Sequence, residues 1–282
     1  MRRPTAAVVV VVAAALPRLL VLARERDTIL EHFVDKSDRF ATTLVDHGTF
    51  GFLAGVPSAY TQPLYGWFLA AIYFPFGRSW LAVGIAQVVV AVATALVVLE
   101  IGSRLRSPGV GLVAALITTL HPYVVWHDVH LNRELLDGFV LTVLTLCALA
   151  AYERRSLPLA AATGVAAGLA ILGNARIVLL PLVVGIYVAW RMRLGQALTA
   201  VALVVGAAAL DVTPWVVRNE VQVGCYAITK AGSIVRRASR AVPLPLPSDS
   251  RGNGLHSIRV ACAARRAFSP GCSRQKSRTS RR

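Results

Sequence analysis

The sequence predicts an all-α membrane protein. The expected architecture is a polytopic transmembrane helix bundle of about seven spans, whose first outer loop contains a juxtamembrane helix. Three observations predict it. Seven apolar stretches lie before residue 220. The chain is 56% hydrophobic with a mean hydropathy of +0.60, too apolar for a soluble domain of 282 residues. Paired arginines recur in alternate loops.

Crossing a bilayer core takes roughly 20 mostly apolar residues. The first stretch, 5–23, is interrupted only by Pro17 and Arg18. It reads as a retained span, because no clear small-x-small cleavage site precedes the charged Arg24-Glu25-Arg26-Asp27. Further stretches cover 80–101, 109–126, 135–152, 157–173, 177–190 and 194–215. The sixth is short and needs help from its flanks or from local thinning of the bilayer. An eighth apolar run, 63–76, has a length more typical of an interfacial helix than of a span. Its Tyr65, Trp67 and Tyr73 suit a membrane interface. A true short span is the alternative, but it would reverse every later loop.

Orientation follows from the loops. Arg2 and Arg3, Arg104 and Arg106, Arg154 and Arg155, and Arg191 and Arg193 fall on one side. Single arginines, Arg133, Arg176 and Arg218, fall on the other. The positive-inside rule makes the paired side cytoplasmic, which puts the N-terminus inside and residues 25–79 outside. The expected location is the plasma (inner) membrane, crossed many times.

Residues 1–232 form the expected transmembrane core. Residues 220–282 hold 13 Lys or Arg against two acids, out of a net charge of +16. From about residue 233 the chain turns rich in Arg, Ser, Pro and Gly and loses its apolar period. The expectation for 233–282 is a disordered or out-of-frame basic tail. A lipid-binding tail and a nucleic-acid-binding arm are the alternatives. With Phe268 its only aromatic residue and an external position, the tail is not expected to bind nucleic acid. Cys147 lies within a span as apolar filler, and Cys225, Cys262 and Cys272 lack metal-type spacing.

Polar residues gather at the outer side. In the first loop a short helix starts near Ser37, a good N-cap, and stops at Gly48. Asp35 and Asp38 then sit at its start, either as acids that complement the helix dipole or as a general base or metal ligand. The second outer loop packs His127, Asp128, His130, Arg133 and Glu134 into eight residues. Ionisable groups near membrane depth are costly and tend to face a cavity, although an exposed, solvated hairpin would also account for them. Asp137 lies one turn below Glu134 on the same face. Arg176 and Arg218 emerge on this side too. They offer planar forks for phosphate, or anchors that snorkel to headgroups.

Several segments, in order, resemble motifs of the C-type glycosyltransferases. The closest likeness is to the bacterial branch similar to dolichyl-phosphate-mannose protein mannosyltransferases and lipid A aminoarabinose transferases. Residues 35–48 resemble the first-loop pattern of an acid, an aromatic and Ala-x-x-Leu-x-x-x-Gly. Ser58-Ala-Tyr-Thr-Gln-Pro-Leu-Tyr65 resembles the segment before the juxtamembrane helix. Leu120-His-Pro-Tyr and Asn132-Arg-Glu-Leu135 resemble the second outer loop. The run from Gly164 to Arg176, and Pro214-Trp-Val-Val-Arg-Asn219, resemble two later motifs.

The resemblance implies transfer of a sugar from a polyprenyl-phosphate donor to an acceptor (protein, lipid or glycan) at the outer face. It implies Asp35 as catalytic base, Asp38 as second candidate and Glu134 as the second-loop acid. Tyr60, His127, His130, Arg133, Arg176 and Arg218 become the substrate contacts. The leaving phosphate is stabilised by cationic groups or by a divalent metal ion, with Asp35 and Glu134 as its ligands. Family members continue with further spans, so this chain is expected to hold the donor-side core and to lack the rest. The rival is a non-enzymatic polytopic protein, a transporter fragment or a complex subunit. A transporter should show an internal repeat and midplane polar sites. No repeat is evident, and only Asp211 lies deep in a span.

Overall fold

The structure, a computed structural model, describes residues 3–25 and 35–229. The expectation for residues 233–282 therefore lies outside the described residues. What is described is helical, apart from a single bridge between Leu53 and Val56.

The helices are α1 (Arg3–Glu25), α2 (Lys36–His47), α3 (Pro63–Phe76), α4 (Trp80–Leu105), α5 (Pro108–Thr119) and α6 (Pro122–Val129). They continue with α7 (Glu134–Arg154), α8 (Leu157–Gly173), a 3-10 turn (Ala175–Ile177), α9 (Leu180–Ala189) and α10 (Leu194–Val223). Local chemistry sets many of the starts. Ser79, Ser107 and Ser156 cap α4, α5 and α8, each accepting from a backbone N–H three residues on. Proline occupies the first turn of α3, α5, α6, α8 and α9, where its missing N–H costs nothing.

Among the described residues four helices, α1, α4, α7 and α10, are long and apolar enough to cross a membrane, and a fifth span results if α5 and α6 count together. Helices α8 and α9, of 17 and 10 residues, fall below that length. The expected third span is broken. Helices α5 and α6 meet at 62° around Leu120 and His121. Pro122 explains the break, because it lacks an N–H and pushes the residue before it out of helical backbone. Arg18 fills the gap from α1, its Nη1 donating to the freed carbonyl of Thr119 at 3.1 Å.

Close packing rests on small residues, as expected where lipid offers no hydrophobic drive between helices. Ala6, Val10 and Ala14 of α1 pack with Ala95 and Leu99 of α4 and with Ala115 of α5. Leu22 lies beside Gly84, so α1 and α4 run antiparallel. Helices α8 and α10 run parallel. Gly164 faces Val204, Gly168 faces Asp211, and Leu172 shares a cluster with Trp215. Helix α9 returns between them, with Gly185 against Val201.

The first loop sits on one end of this bundle. Phe40 of α2 and Phe50 pack with Leu172 and Trp215. Leu69 and Tyr73 of α3 join Leu22, Val83, Val129 and Leu131. Helix α3 is thus a half-buried helix at the bundle end, as the juxtamembrane reading expects. The opposite end carries Arg104, paired with Glu100 and Glu153, and Arg191 over the Tyr152 ring.

Candidate functional site

The site forms where α2, α3 and the starts and ends of the spans meet. Asp35 caps α2, with Oδ1 accepting from the Ser37 N–H at 2.8 Å. This corrects the expected cap at Ser37, whose Oγ is buried without a hydrogen-bond partner among the described residues. Asp35 is half-buried. Gly48, at φ 63°, ends the helix as expected.

Asp38 is differently placed. It is buried, accepts from the Tyr73 hydroxyl at 2.8 Å, and pairs with Arg78 through both oxygens. Burial and the Asp38 charge push the Tyr73 phenol well above its ordinary range, so it stays a donor. The acid thus ties α2 to the end of α3, and both its oxygens are engaged.

Three carboxylates share this end of the bundle. Asp137, half-buried in the first turn of α7, feels the charges of Arg133, Glu134 and Asp35. It abuts Gly173 at the end of α8, where any side chain would collide with its carboxylate. Glu134 is exposed, with Oε2 3.4 Å from the Asn132 amide. Arg133 donates from Nη1 to the side-chain Oε1 of Gln62, just before α3. Tyr65 lies under this group. Its phenol, raised well above the usual range by burial and then by Asp35, donates to Gln87 Oε1 at 2.7 Å. Gln87 in turn donates to the carbonyls of Asp128 and His130, at 2.7 and 3.0 Å. The second loop is therefore a built turn rather than a solvated hairpin, with Asp128, His130 and Asn132 all buried.

The other expected residues divide. Tyr60 accepts from Lys36 Nζ at 3.2 Å beside the cap of α2. His127 lies 2.6 Å from the Asn132 amide and packs against Tyr123. His130 is wholly buried against Trp126. Arg176 is exposed on the turn after α8. Arg218 is spent on the first loop, donating to Ser58 O at 3.0 Å and Phe50 O at 2.9 Å and stacking on Trp215. Its geometry fastens the loop to α10.

Asp137, Gln62, Tyr65 and Gln87 were not among the expected site residues. The available signal was a polar group inside or bordering an apolar run. Arg18 is the same kind of residue. It is buried and gives Nε and Nη2 to Asp128 Oδ2 at 2.8 and 2.6 Å.

A family model described as dolichyl-phosphate-mannose-protein mannosyltransferase matches residues 57–217. That is more than half of the chain. The chain belongs to this family. It is a multi-pass membrane protein of a glycosyltransferase family, and the resemblance read from its motifs holds. No curated protein and no solved structure matches it.

Two features bear on how a member of the mannosyltransferase family would use this site. An apolar groove of about 530 Å³ runs between α9 and α10, bounded near the site end by Ile171, Val178, Leu179 and Tyr226. It flanks the turn that carries Arg176. A metal centre is less well served. Among the described residues no three His, Cys, Asp or Glu side chains gather as ligands. One oxygen of Asp35 already serves as the α2 cap. The donors among the described residues do not by themselves fit a preformed metal site.

Proposed function

We infer that this chain moves a glycosyl group from a polyprenyl-phosphate sugar to a hydroxyl acceptor at the outer face of the plasma membrane. The observation that carries the reading is the grouping of Asp35, Glu134 and Asp137 with Arg133 at the end of the bundle covered by the first loop. A half-buried carboxylate at the end of the bundle suits proton abstraction from an acceptor arriving from water.

In this mechanism Asp35 takes the proton of the acceptor hydroxyl. The acceptor oxygen bonds to the anomeric carbon as the bond from that carbon to the phosphate oxygen breaks. Polyprenyl phosphate leaves with the electron pair. Arg176, exposed beside the groove, and Arg133 offset its charge, because guanidinium donates in parallel to two phosphate oxygens. The prenyl chain lies along the apolar groove. Glu134 and Asp137 orient the sugar hydroxyls. Asp38 and Arg218 hold the loop that brings Asp35 into place.

The test uses purified protein in liposomes, with a radiolabelled polyprenyl-phosphate sugar and a membrane extract as acceptor source. Transfer by the wild type and its loss in both Asp35→Asn and Glu134→Gln are expected. Full activity in both variants would remove these residues from the chemistry.

A further inference from the structure

His130 stands apart from the chemistry above and carries an inference of its own. Its side chain is fully buried. Nδ1 lies 2.6 Å from the carbonyl oxygen of Trp126. A carbonyl only accepts, so Nδ1 carries the hydrogen. The ring stacks on the Trp126 indole at 3.9 Å and 25°. Nε2 is buried without a hydrogen-bond partner among the described residues and sits 3.4 Å from Oε2 of Glu25.

These facts select a charge state. In a neutral imidazole with its hydrogen on Nδ1, Nε2 would aim a lone pair at a carboxylate. The buried Nε2 would then face an acceptor with its own hydrogen-bonding capacity unmet, and burying an unsatisfied polar atom is costly; the carboxylate, a third exposed, keeps its solvent. An imidazolium removes the conflict, since it donates from both nitrogens and sets a positive charge over the indole face. The ring has little freedom to swing away, because Gln87 holds the carbonyls of both Asp128 and His130.

We propose that His130 is held as an imidazolium and that its ion pair with Glu25 fastens the end of α1 to the second loop. On the glycosyl-transfer reading, this makes His130 a positioning residue. Glu25 lies ten residues before Asp35, and His130 lies four before Glu134. One proton thus fixes where both acid-bearing segments leave the bundle. Among the described residues, these charged and titratable groups surround the ring. Helix α1 brings Arg18 and Glu25, and α6 brings His127 and Asp128, the last neutralised by Arg18. Helix α3 brings Tyr65, through the uncharged Gln87 of α4. The pair holds while the imidazole is protonated and Glu25 ionised. It is lost as pH rises and the ring gives up its proton.

The full chain in lipid nanodiscs, labelled with ¹⁵N-histidine, tests this directly. The His130 ring signals are identified by their loss in His130→Gln. Both ring nitrogens should read as protonated at about pH 6, and Glu25→Gln should move deprotonation to lower pH. A neutral ring at that pH, or an unchanged titration in Glu25→Gln, overturns the proposal. Fastening is read separately by spin labels at Asp46→Cys and His121→Cys, with the native cysteines replaced by serine. The distance distribution should be narrow at low pH, broad at high pH, and broad at both in Glu25→Gln. A distribution that ignores pH sinks the fastening role. Absence of sugar transfer in the wild type would overturn the glycosyl-transfer reading and leave both of these readouts intact.

Discussion

Asp35 and Asp38 are three residues apart, and the sequence offers both as candidate bases, Asp35 first. The structure gives them different work, and substitution should separate them. Asn caps a helix about as well as Asp. Asp35→Asn therefore keeps the bond from the Ser37 N–H and removes only the charge. Transfer should fall roughly 100- to 10,000-fold with little change in melting temperature. Asp35→Ala should lose the cap as well, at about 1 kcal/mol. Asp38→Ala leaves a buried Tyr73 hydroxyl and half-exposed Arg78 without their acceptor. It should cost about 1–3 kcal/mol of stability, discounted for the solvent around Arg78. Thermal unfolding of the three variants, run beside the transfer assay, checks the division. Equal melting temperatures for Asp38→Ala and the wild type would contradict it. Gly48 was legible because capping chemistry is local, but the sequence puts the N-cap at Ser37, two residues after the Asp35 that holds it. Arg18 and Gln87 were not legible, because their partners lie 101 to 110 and 41 to 43 residues away along the chain.

At the scale of elements, the apolar runs located most helices to within a few residues, because caps and length govern the ends of a membrane helix. Helix α8 and the juxtamembrane α3 have the bounds expected from their runs. The run at 109–126 misled, since its summed hydropathy conceals one proline. The run at 177–190 opens as a 3-10 turn, where Asn174 Oδ1 takes the Arg176 N–H. The glycines of α8 gain a physical role that periodicity did not assign. A Cβ on Gly164 would lie 2.5 Å from the Val204 carbonyl oxygen and 2.8 Å from the Ala207 methyl. Both neighbours belong to a packed helix face, so the helices must separate. Gly164→Ala should destabilise the bundle by about 1–3 kcal/mol. Gly138 in α7 meets nothing within 4 Å. Gly138→Ala should be neutral or should stabilise by up to about 1 kcal/mol. Melting curves in one detergent compare the two, and a reversed order would show that the α8–α10 contact does not limit stability.

For the whole molecule the open quantities are the number of passes and their direction. Helix α8 rises about 25 Å and α9 about 15 Å at 1.5 Å per residue. By length, then, the pair could form a hairpin that enters and leaves on one side. Contacts argue otherwise. The turn between them lies level with Asp137 and Leu64, at the end of the bundle that carries the first loop, since Gly173 abuts both side chains. The start of α10 lies at the other end, with Arg191 and Tyr152. That placement predicts a full crossing by α8 and another by α9 with its flanks. The paired arginines add the direction, because they cluster at the end away from the first loop. Three exposed positions report all of this: Ala54 in the first loop, Val178 in the α8–α9 turn, and Gln196 at the start of α10. In a background without native cysteines, Ala54→Cys and Val178→Cys should react with an impermeant thiol reagent added to intact cells. Gln196→Cys should react only after permeabilisation. Labelling of Gln196→Cys alone would invert the protein. Protection of Val178→Cys, with Ala54→Cys labelled, would turn α8 and α9 into a re-entrant hairpin and reduce the count to five. Labelling at Val178 requires the acidic cluster and the Arg176 turn to face the same aqueous side, which a hydroxyl acceptor from outside the cell must reach.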